Sequence, residues 1–395
     1  MNKKDSHAIP YSLRDLIMYF LKLGSLGFGG PVALAGYMHR DLVEQRKWIS
    51  EEDYKEGLAL AQLAPGPLAA QLGIYLGYVH YRVLGATLAG LAFVLPSFFM
   101  VVALGFVYTA WQGIPLMQSV FYGVGAAVIG IIAMSAFKLT RKSVGRDKIL
   151  ISIFLVSAVY TVWQETENVL LFLGAGIIYW LVKTPPQKII LSGKSATDAV
   201  KSFSFPLLFN VSFPVSGKTL WQLLFYFTKA GALVFGSGLA IVPFLYGGVV
   251  KEYGWLNEEQ FMDAVAVAMI TPGPVVITVG FIGFLVAGFP GACVAAFATF
   301  FPSYLFTVLP APYFRKYGKH PGIKAFVDGV TAAAIGAISG AVIVLGKRSL
   351  TDAYTVGMAL LTVLVLWRFK KIPEPVVILV AAFAGILLKS ILNHQ

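Results

Sequence analysis

The sequence feature that most constrains the fold is an internal repeat. The pattern Phe-x-Lys-x-Gly-x-x-x-Phe-Gly occurs at residues 20–29 and again at 227–236, an offset of 207 residues. A Pro-Gly-Pro at residues 65–67 recurs at the same offset at residues 272–274. Self-similarity in register over such a length indicates that one structural module occurs twice.

The repeat continues beyond the Pro-Gly-Pro with an offset of 206 residues. Pro96-Ser97 then aligns with Pro302-Ser303, and Gly123 aligns with Gly329. The stretch between the copies is polar and basic, which is typical of an extramembrane linker. The predicted organisation is a first module at residues 1–184, a basic cytoplasmic linker at 185–218 and a second module at 219–395.

Composition places both modules in a membrane. Charged residues make up 13% of the chain, about half of the roughly 25% that is usual in soluble domains. Apolar runs of the length that spans a bilayer recur, for example at residues 85–108, 116–137 and 330–346. The sequence therefore predicts an all-α, multi-pass protein of the plasma membrane, with lipid as its surroundings.

The basic residues outnumber the acidic ones by 31 to 19, but they are scattered between the apolar runs. This distribution is the usual orientation signal of membrane proteins, so no nucleic-acid partner is expected. The single cysteine, Cys293, lies in an apolar run, and no histidines have metal-ligand spacing. We expect no metal and no cofactor.

Loop charges predict that the two modules are inverted relative to each other, because Lys and Arg concentrate in cytoplasmic loops. Equivalent loops differ strongly in charge. The loop at residues 40–55 carries four basic residues, and its counterpart at 247–263 carries only Lys251. Conversely, residues 111–115 carry none, whereas the matching loop carries Arg315, Lys316, Lys319 and Lys324.

The Pro-Gly-Pro of each copy predicts a broken helix. Ser50 and Asn257 are suitable N-caps, and proline disfavours helical geometry in the residue before it. Each half-helix then has about fourteen residues, roughly 20 Å, which is too short to cross about 30 Å of hydrocarbon. A re-entrant or discontinuous helix is therefore predicted in each module.

The breaks are the predicted substrate site. A half-helix N-terminus carries free amides and a partial positive charge, which suits an anion, and transporters place such breaks at the repeat interface. An ordinary kink is the alternative for any single break, but recurrence in both copies favours binding. The candidate residues at the breaks are Gly29, Gly30, Pro65, Gly66, Pro67, Gln71, Gly236, Ser237, Pro272, Gly273, Pro274 and Thr278. Ser97 and Ser303 fit helix packing or capping equally well.

Lys22 and Lys229 are the charged candidates for the same site. They occupy equivalent positions one turn before a glycine break, and Lys22 is predicted to lie roughly 15 Å into the membrane. An ammonium at that depth is costly and is usually functional. The alternative is that its long side chain reaches an interface.

The same residues resemble the chromate ion transporters in their long, two-domain form. The resemblance rests on Gly27-Phe28-Gly29-Gly30-Pro31, Ala64-Pro65-Gly66-Pro67, Phe235-Gly236-Ser237-Gly238 and Ile270-Thr271-Pro272-Gly273-Pro274. It covers nearly the whole chain. It implies chromate export and chromate resistance, sulfate as a look-alike ligand, inverted halves, an inner-membrane location and no enzymatic step.

Three hypotheses for function remain at this stage. The leading one is a secondary transporter that binds a tetrahedral divalent oxyanion, chromate or sulfate, between two halves with alternating access. The others are an anion channel and, less favoured, a membrane-embedded lipid-modifying enzyme. For the enzyme, the sequence offers no catalytic residues, and a homodimer is compatible with all three hypotheses.

Overall fold

The computed structural model describes residues 11–28, 30–110, 115–164, 169–184, 217–233, 241–317, 321–369 and 372–392. Within these ranges the regular structure is helical and contains no strand. The first half comprises α1 (Leu13–Leu26), α2 (Gly30–Met38), α3 (Glu51–Leu63), α4 (Leu68–Ala110), α5 (Pro115–Leu139), α6 (Lys148–Gln164) and α7 (Val169–Lys183). The second comprises α8 (Gly217–Leu233), α9 (Ile241–Tyr246), α10 (Glu258–Ile270), α11 (Thr278–Val308), α12 (Ala311–Tyr317), α13 (Pro321–Ser349), α14 (Ala353–Arg368) and α15 (Glu374–Leu392). The predicted linker at 185–218 lies almost entirely outside the described residues.

Four described helical stretches are long and apolar enough to cross a membrane: Leu68–Ala110, Ser119–Leu139, Val275–Phe314 and Pro321–Ser349. Large apolar side chains on the outer helices are exposed, including Trp163, Leu170, Leu360 and Phe383. So much exposed apolar area is incompatible with water and suits a lipid environment. These observations agree with the predicted helical membrane protein.

Helices α3 and α4 form an antiparallel hairpin around the first Pro-Gly-Pro. Helix α3 begins where the Ser50 hydroxyl accepts a hydrogen bond from the Asp53 amide at 3.0 Å, as the sequence predicts. It ends at Leu63, and Ala64 is extended. Gly57 of α3 packs directly on the ring of Tyr75 of α4, so the chain has reversed between them.

Helix α4 reverses a second time at Arg82, whose φ of 52° lies in the left-handed region. As a result Gly77 and Gly85 touch backbone to backbone, and Gly90 packs against Ile74. Helix α11 turns back in the same way at Ala287 and Gly288. The start of α3 and the Arg82 turn therefore lie on one side of the molecule, and the Pro-Gly-Pro lies in its interior.

Helices α1 and α2 make a similar hairpin beside it. Gly27 and Phe28, which follow α1, are not helical. The start of α1 returns to the loop after α2, where Tyr11 stacks on Trp48 with 4.7 Å between ring centroids. Gly24 packs against the backbone of Phe93 in α4. This close approach requires a residue without a side chain.

The last two helices of each half pack on the other half. Helices α6 and α7 pack on α13, whereas α14 and α15 pack on α5. Repeated glycines permit these contacts: Gly123 meets the backbone of α15 near Gly385, and Gly329 meets that of α7 near Ala175. The sequence modules are therefore not separate packing units, because each one completes the core of the other.

A polar contact fixes the α6–α7 pair outside the apolar region. The Lys183 ammonium lies 2.8 Å from a carboxylate oxygen of Asp147, just before α6. Hydrogen bonding from Lys183 lowers the pKa of Asp147 to about 2, assisted by backbone amides at the start of α6. The loop carboxylate therefore remains charged at neutral pH.

The equivalent helices α4 and α11 run antiparallel where they cross. The Thr87 and Tyr304 hydroxyls are 2.7 Å apart, and the rings of Phe98 and Phe289 are 6.3 Å apart between centroids. As the residue number rises along one helix it falls along the other. The two equivalent helices therefore run in opposite directions through this contact.

Candidate anion site

The two Pro-Gly-Pro turns meet at the centre of the molecule. They line one small cavity, together with residues from α2 and from the helix starts that follow the turns. Its lining residues are Pro31, Leu34, Pro67, Leu68, Ala69, Gly273, Pro274, Val275 and Val276. The cavity measures about 10 Å³, which is the room that one water molecule needs.

The central glycine of each turn has a backbone conformation that other residues adopt only with strain. Gly66 has φ +143° and Gly273 has φ +97°. The Gly273 amide donates a hydrogen bond of 2.9 Å to the carbonyl oxygen of Gly27, just after α1. This bond joins the turn of the second half to the helix break of the first.

Each turn is covered by a serine from the other half. A Cβ atom on Gly66 would lie 2.7 Å from the Ser303 hydroxyl oxygen, and one on Gly273 would lie 2.6 Å from that of Ser97. Both serines are fully buried. Because the two serines occupy equivalent positions in the repeat, each half covers the turn of the other half in the same way.

Two buried polar atoms at this centre have no hydrogen-bond partner among the described residues: the Gln71 Oε1 and the Ser303 hydroxyl. Leaving such a group unsatisfied costs about 1–3 kcal/mol. The neighbouring polar groups have hydrogen-bond partners. The Gln71 amide nitrogen donates to the Pro65 carbonyl at 2.8 Å, and the Thr278 hydroxyl donates to the Val275 carbonyl at 2.7 Å. Ser303 therefore offers a free donor beside the Gly66 turn.

The helices that leave the turns direct backbone amides toward the same place. The Pro67 carbonyl accepts a hydrogen bond from the Gln71 amide at 3.0 Å, so Pro67 caps α4 from the position just before its first residue, Leu68. The amides of the first turn after it have no partner within the helix. The 3₁₀ turn Val275–Ile277 leads into α11, and Val275 and Val276 line the same cavity as Leu68 and Ala69. Two partial positive charges thus converge on one cavity.

The structure brings together the predicted Pro-Gly-Pro residues, with Gln71 and Thr278 behind them. Lys22 and Lys229 lie instead on exposed faces of α1 and α8 and do not line the cavity. The Lys229 ammonium lies 5.8 Å from the centroid of the Phe244 ring. Gly30 begins α2, whereas Gly29, Gly236 and Ser237 lie outside the described residues.

The sequence did not single out the serines as site residues, although their repeat positions were visible. Ser97 and Ser303 each follow a proline at the 206-residue offset. The sequence does not show how the two halves pack against each other, and this packing places each serine against the turn of the other half. Among the described residues, no cluster of metal-ligating side chains accompanies this site.

Two homologous helical halves, joined through broken helices whose starts share a buried cavity, define a multi-pass membrane protein of the transporter type. Comparison with known proteins gives the family. The chain belongs to the chromate transporter family, whose model matches residues 14–180 and 221–386.

Among its relatives, a chromate transport protein of Cupriavidus metallidurans is 65% identical over 98% of this chain and 96% of that protein. A probable chromate transport protein of Synechococcus elongatus is 62% identical over 98% and 99% of the two chains. An uncharacterized transporter of Bacillus subtilis, YwrA, is 25% identical over 170 residues, which cover 42% of this chain and 96% of that protein. No solved structure is significantly similar to the chain.

Proposed function

We propose that this protein is a secondary transporter that exports chromate, a tetrahedral divalent oxyanion, by alternating access between two inverted halves. The observation that carries the proposal is the shared cavity between the two Pro-Gly-Pro turns, each covered by a serine of the other half. Family membership and the names of the two most similar relatives described above support chromate as the substrate.

The anion is held by amides and hydroxyls. The amides that begin α4 and α11 supply the positive ends of two helix dipoles, and the hydroxyls of Ser97 and Ser303 supply further donors. A tetrahedral oxyanion has an acceptor on every face, so donors from both halves bind it together. No catalytic step is part of the proposal.

The cavity is too small for an oxyanion of five heavy atoms, so binding requires the halves to separate at the turns. Rocking of one half against the other opens the cavity first to one side and then to the other. The antiparallel crossing of α4 and α11 supports inverted halves, because the two equivalent helices run in opposite directions through it. The unequal numbers of basic residues in equivalent loops support the same arrangement.

Lys22 and Lys229 attract the dianion to the turns. Lys22 lies two residues before Gly24, whose carbonyl oxygen would be 3.3 Å from a Cβ atom on Gly273. Neither lysine has an ion-pair partner among the described residues. A positive charge that offsets the dianion during transport accounts for a lysine at the same position in both copies.

The test is chromate and sulfate uptake into oriented vesicles, with the membrane potential and the pH gradient imposed separately. We expect saturable chromate transport that Lys22→Ala and Lys229→Ala abolish, with membrane insertion unchanged. Lys55→Ala is the matched control, because Lys55 is an exposed lysine that pairs with Glu51 at the start of α3.

Wild-type transport by the Lys22→Ala/Lys229→Ala double variant would remove the lysines from the mechanism. Unsaturable currents would favour the channel hypothesis. Sulfate transport without chromate transport would show that the substrate is sulfate and would leave the proposed mechanism unchanged.

A further inference from the structure

A buried carboxyl group lies in the second half, away from the cavity lining. Asp263 is on α10 and is only 5% exposed. Its carboxylate accepts a hydrogen bond of 2.8 Å from the hydroxyl of Tyr108, which belongs to α4 of the first half. The pair therefore bridges the two halves.

No cation neutralises Asp263 among the described residues. The titratable groups that face it are Tyr108 on α4 and Glu259 on its own helix. Around the Tyr108 ring, α5 contributes Phe121 and α11 contributes Phe281.

The charged and titratable groups considered on the other elements that pack on α10 contact different partners. In the helical segment Gly247–Glu252, the Lys251 ammonium lies 4.0 Å from a carboxylate oxygen of Glu258. On α5, Tyr122 donates to Asp352, and the ammonium of Lys389 on α15 lies 6.0 Å from the centroid of the Tyr122 ring. Glu374, at the start of α15, has Lys138 of α5 as its charged neighbour. An ionised carboxylate buried without a cation is costly, and the cost disappears when the carboxyl binds a proton.

The repeat shows that this burial is specific to one half. The residue equivalent to Asp263 is Glu56 on α3, 207 positions earlier, which is half-buried. The residue equivalent to Tyr108 is Phe314, 206 positions later, which has no hydroxyl. Both halves carry the carboxyl, but only in the second half is it fully buried, where Tyr108 of the first half donates to it.

We propose that Asp263 is a proton-binding site that couples anion transport to the proton gradient, with Tyr108 as its positioning residue. The inference rests on the proposed transport function. The chemistry is a reversible protonation, in which the carboxylate takes one proton from water and returns it to water without any other bond changing.

The position of Asp263 links this protonation to the cavity. Asp263 lies eight residues before Thr271, or about 12 Å along a helix that ends at the second Pro-Gly-Pro. Separation of α10 from α4 opens the cavity and breaks the contact with Tyr108, so the carboxyl meets water in one state and is buried in the other. Burial favours the protonated form, which ties the closed state to a bound proton.

The test uses the full-length protein in liposomes that contain a pH-sensitive dye and are given a chromate gradient. For the wild type we expect chromate flux accompanied by proton flux, and chromate accumulation driven by a pH gradient. Asp263→Asn is expected to lose the proton flux and the accumulation but to keep chromate–chromate exchange. Glu56→Gln, the matched control, is expected to keep all three.

Tyr108→Phe provides a second measurement if Asp263→Asn also loses exchange. The phenol donates to the carboxylate, so its loss disfavours the charged form, and the pH of half-maximal accumulation should rise by about one unit. An unchanged pH profile in Tyr108→Phe, or wild-type proton flux in Asp263→Asn, overturns the proposal. Chromate flux without proton flux in the wild type also overturns the proton-coupling proposal, but it leaves the proposed chromate transport intact. The absence of chromate flux under any gradient refutes the proposed transport function itself.

Discussion

The helices before the two Pro-Gly-Pro turns have equivalent sequences but very different surroundings. In α10, every residue from Phe261 to Met269 is buried, and the helix packs on α5, α11 and α15. In α3, the buried positions are Tyr54, Gly57, Leu60 and Ala61, and the helix packs mainly on α4 and α12. One copy is a central helix and the other is peripheral.

The turns themselves do not share this asymmetry. Both have a central glycine with positive φ, and both are covered by a serine from the other half. After duplication, the site where the halves meet stayed the same in both copies, while the supporting helices diverged. The two similar turns can thus bind one anion together, while the different surroundings of α3 and α10 allow one half to have an additional function such as proton binding.

The largest expected effect tests the equivalence of the turns. Gly66→Ala and Gly273→Ala should both abolish chromate transport, since each places a Cβ atom against a buried serine and strains the backbone by about 1–3 kcal/mol. Thermal unfolding of the purified protein measures the loss of stability, and chromate uptake into vesicles measures the loss of transport. Gly125→Ala is the control, because its new Cβ atom would meet no described atom within 4 Å beyond its chain neighbours and the adjoining backbone of its own helix. A variant of either turn that transports normally would show that the two turns are not equivalent.

The next effect tests the asymmetry of the supporting helices. Met269→Ala should lower the free energy of unfolding by about 2–5 kcal/mol, because Met269 is 3% exposed and its truncation leaves a cavity. The equivalent residue on α3 is the exposed Gln62, and Gln62→Ala should change stability by no more than about 0.5 kcal/mol. Denaturation of the two variants in the same detergent compares them directly. Equal losses would mean that α3 is as central as α10.

The smallest expected effect distinguishes the two serines. The Ser97 hydroxyl donates to the Val94 carbonyl at 3.0 Å, whereas the Ser303 hydroxyl has no partner among the described residues. Ser303→Ala should therefore leave stability unchanged or slightly higher, yet raise the Kd for chromate about tenfold, the value of a hydrogen bond to a charged group. Ser97→Ala should raise the Kd less. Calorimetric titration with chromate measures both, and an unchanged Kd in Ser303→Ala would place the anion elsewhere.

Much of the local structure was predictable because it depends on neighbouring residues. Ser50 and Asn257 cap helices since their side chains accept hydrogen bonds from amides three residues later. The prolines stop these helices for an equally local reason, since the residue before a proline is pushed out of helical geometry. The reversal at Arg82 was less accessible, because nothing in its sequence resembles a glycine turn.

The remaining features depend on residues that are distant in sequence. The sequence predicts the depth of Lys22 along α1 but not the direction of its side chain, and packing of the opposite face of α1 on α4 leaves Lys22 on the exposed face. Glu56 and Asp263 occupy equivalent positions in the repeat, and only their neighbours decide which one is buried.

Sequence alone is enough to predict a helical membrane protein of two homologous halves, a helix break at each Pro-Gly-Pro, and the family that the chain resembles. These properties follow from hydrophobicity, backbone preference and repetition, which act along the chain. The tertiary structure alone decided that each half lends its last two helices to the other and that Ser97 and Ser303 exchange partners across the cavity. It also decided that Asp263 meets Tyr108. Such contacts are set by close packing between distant helices, where a missing Cβ atom at Gly123 or Gly329 determines how near two backbones can come.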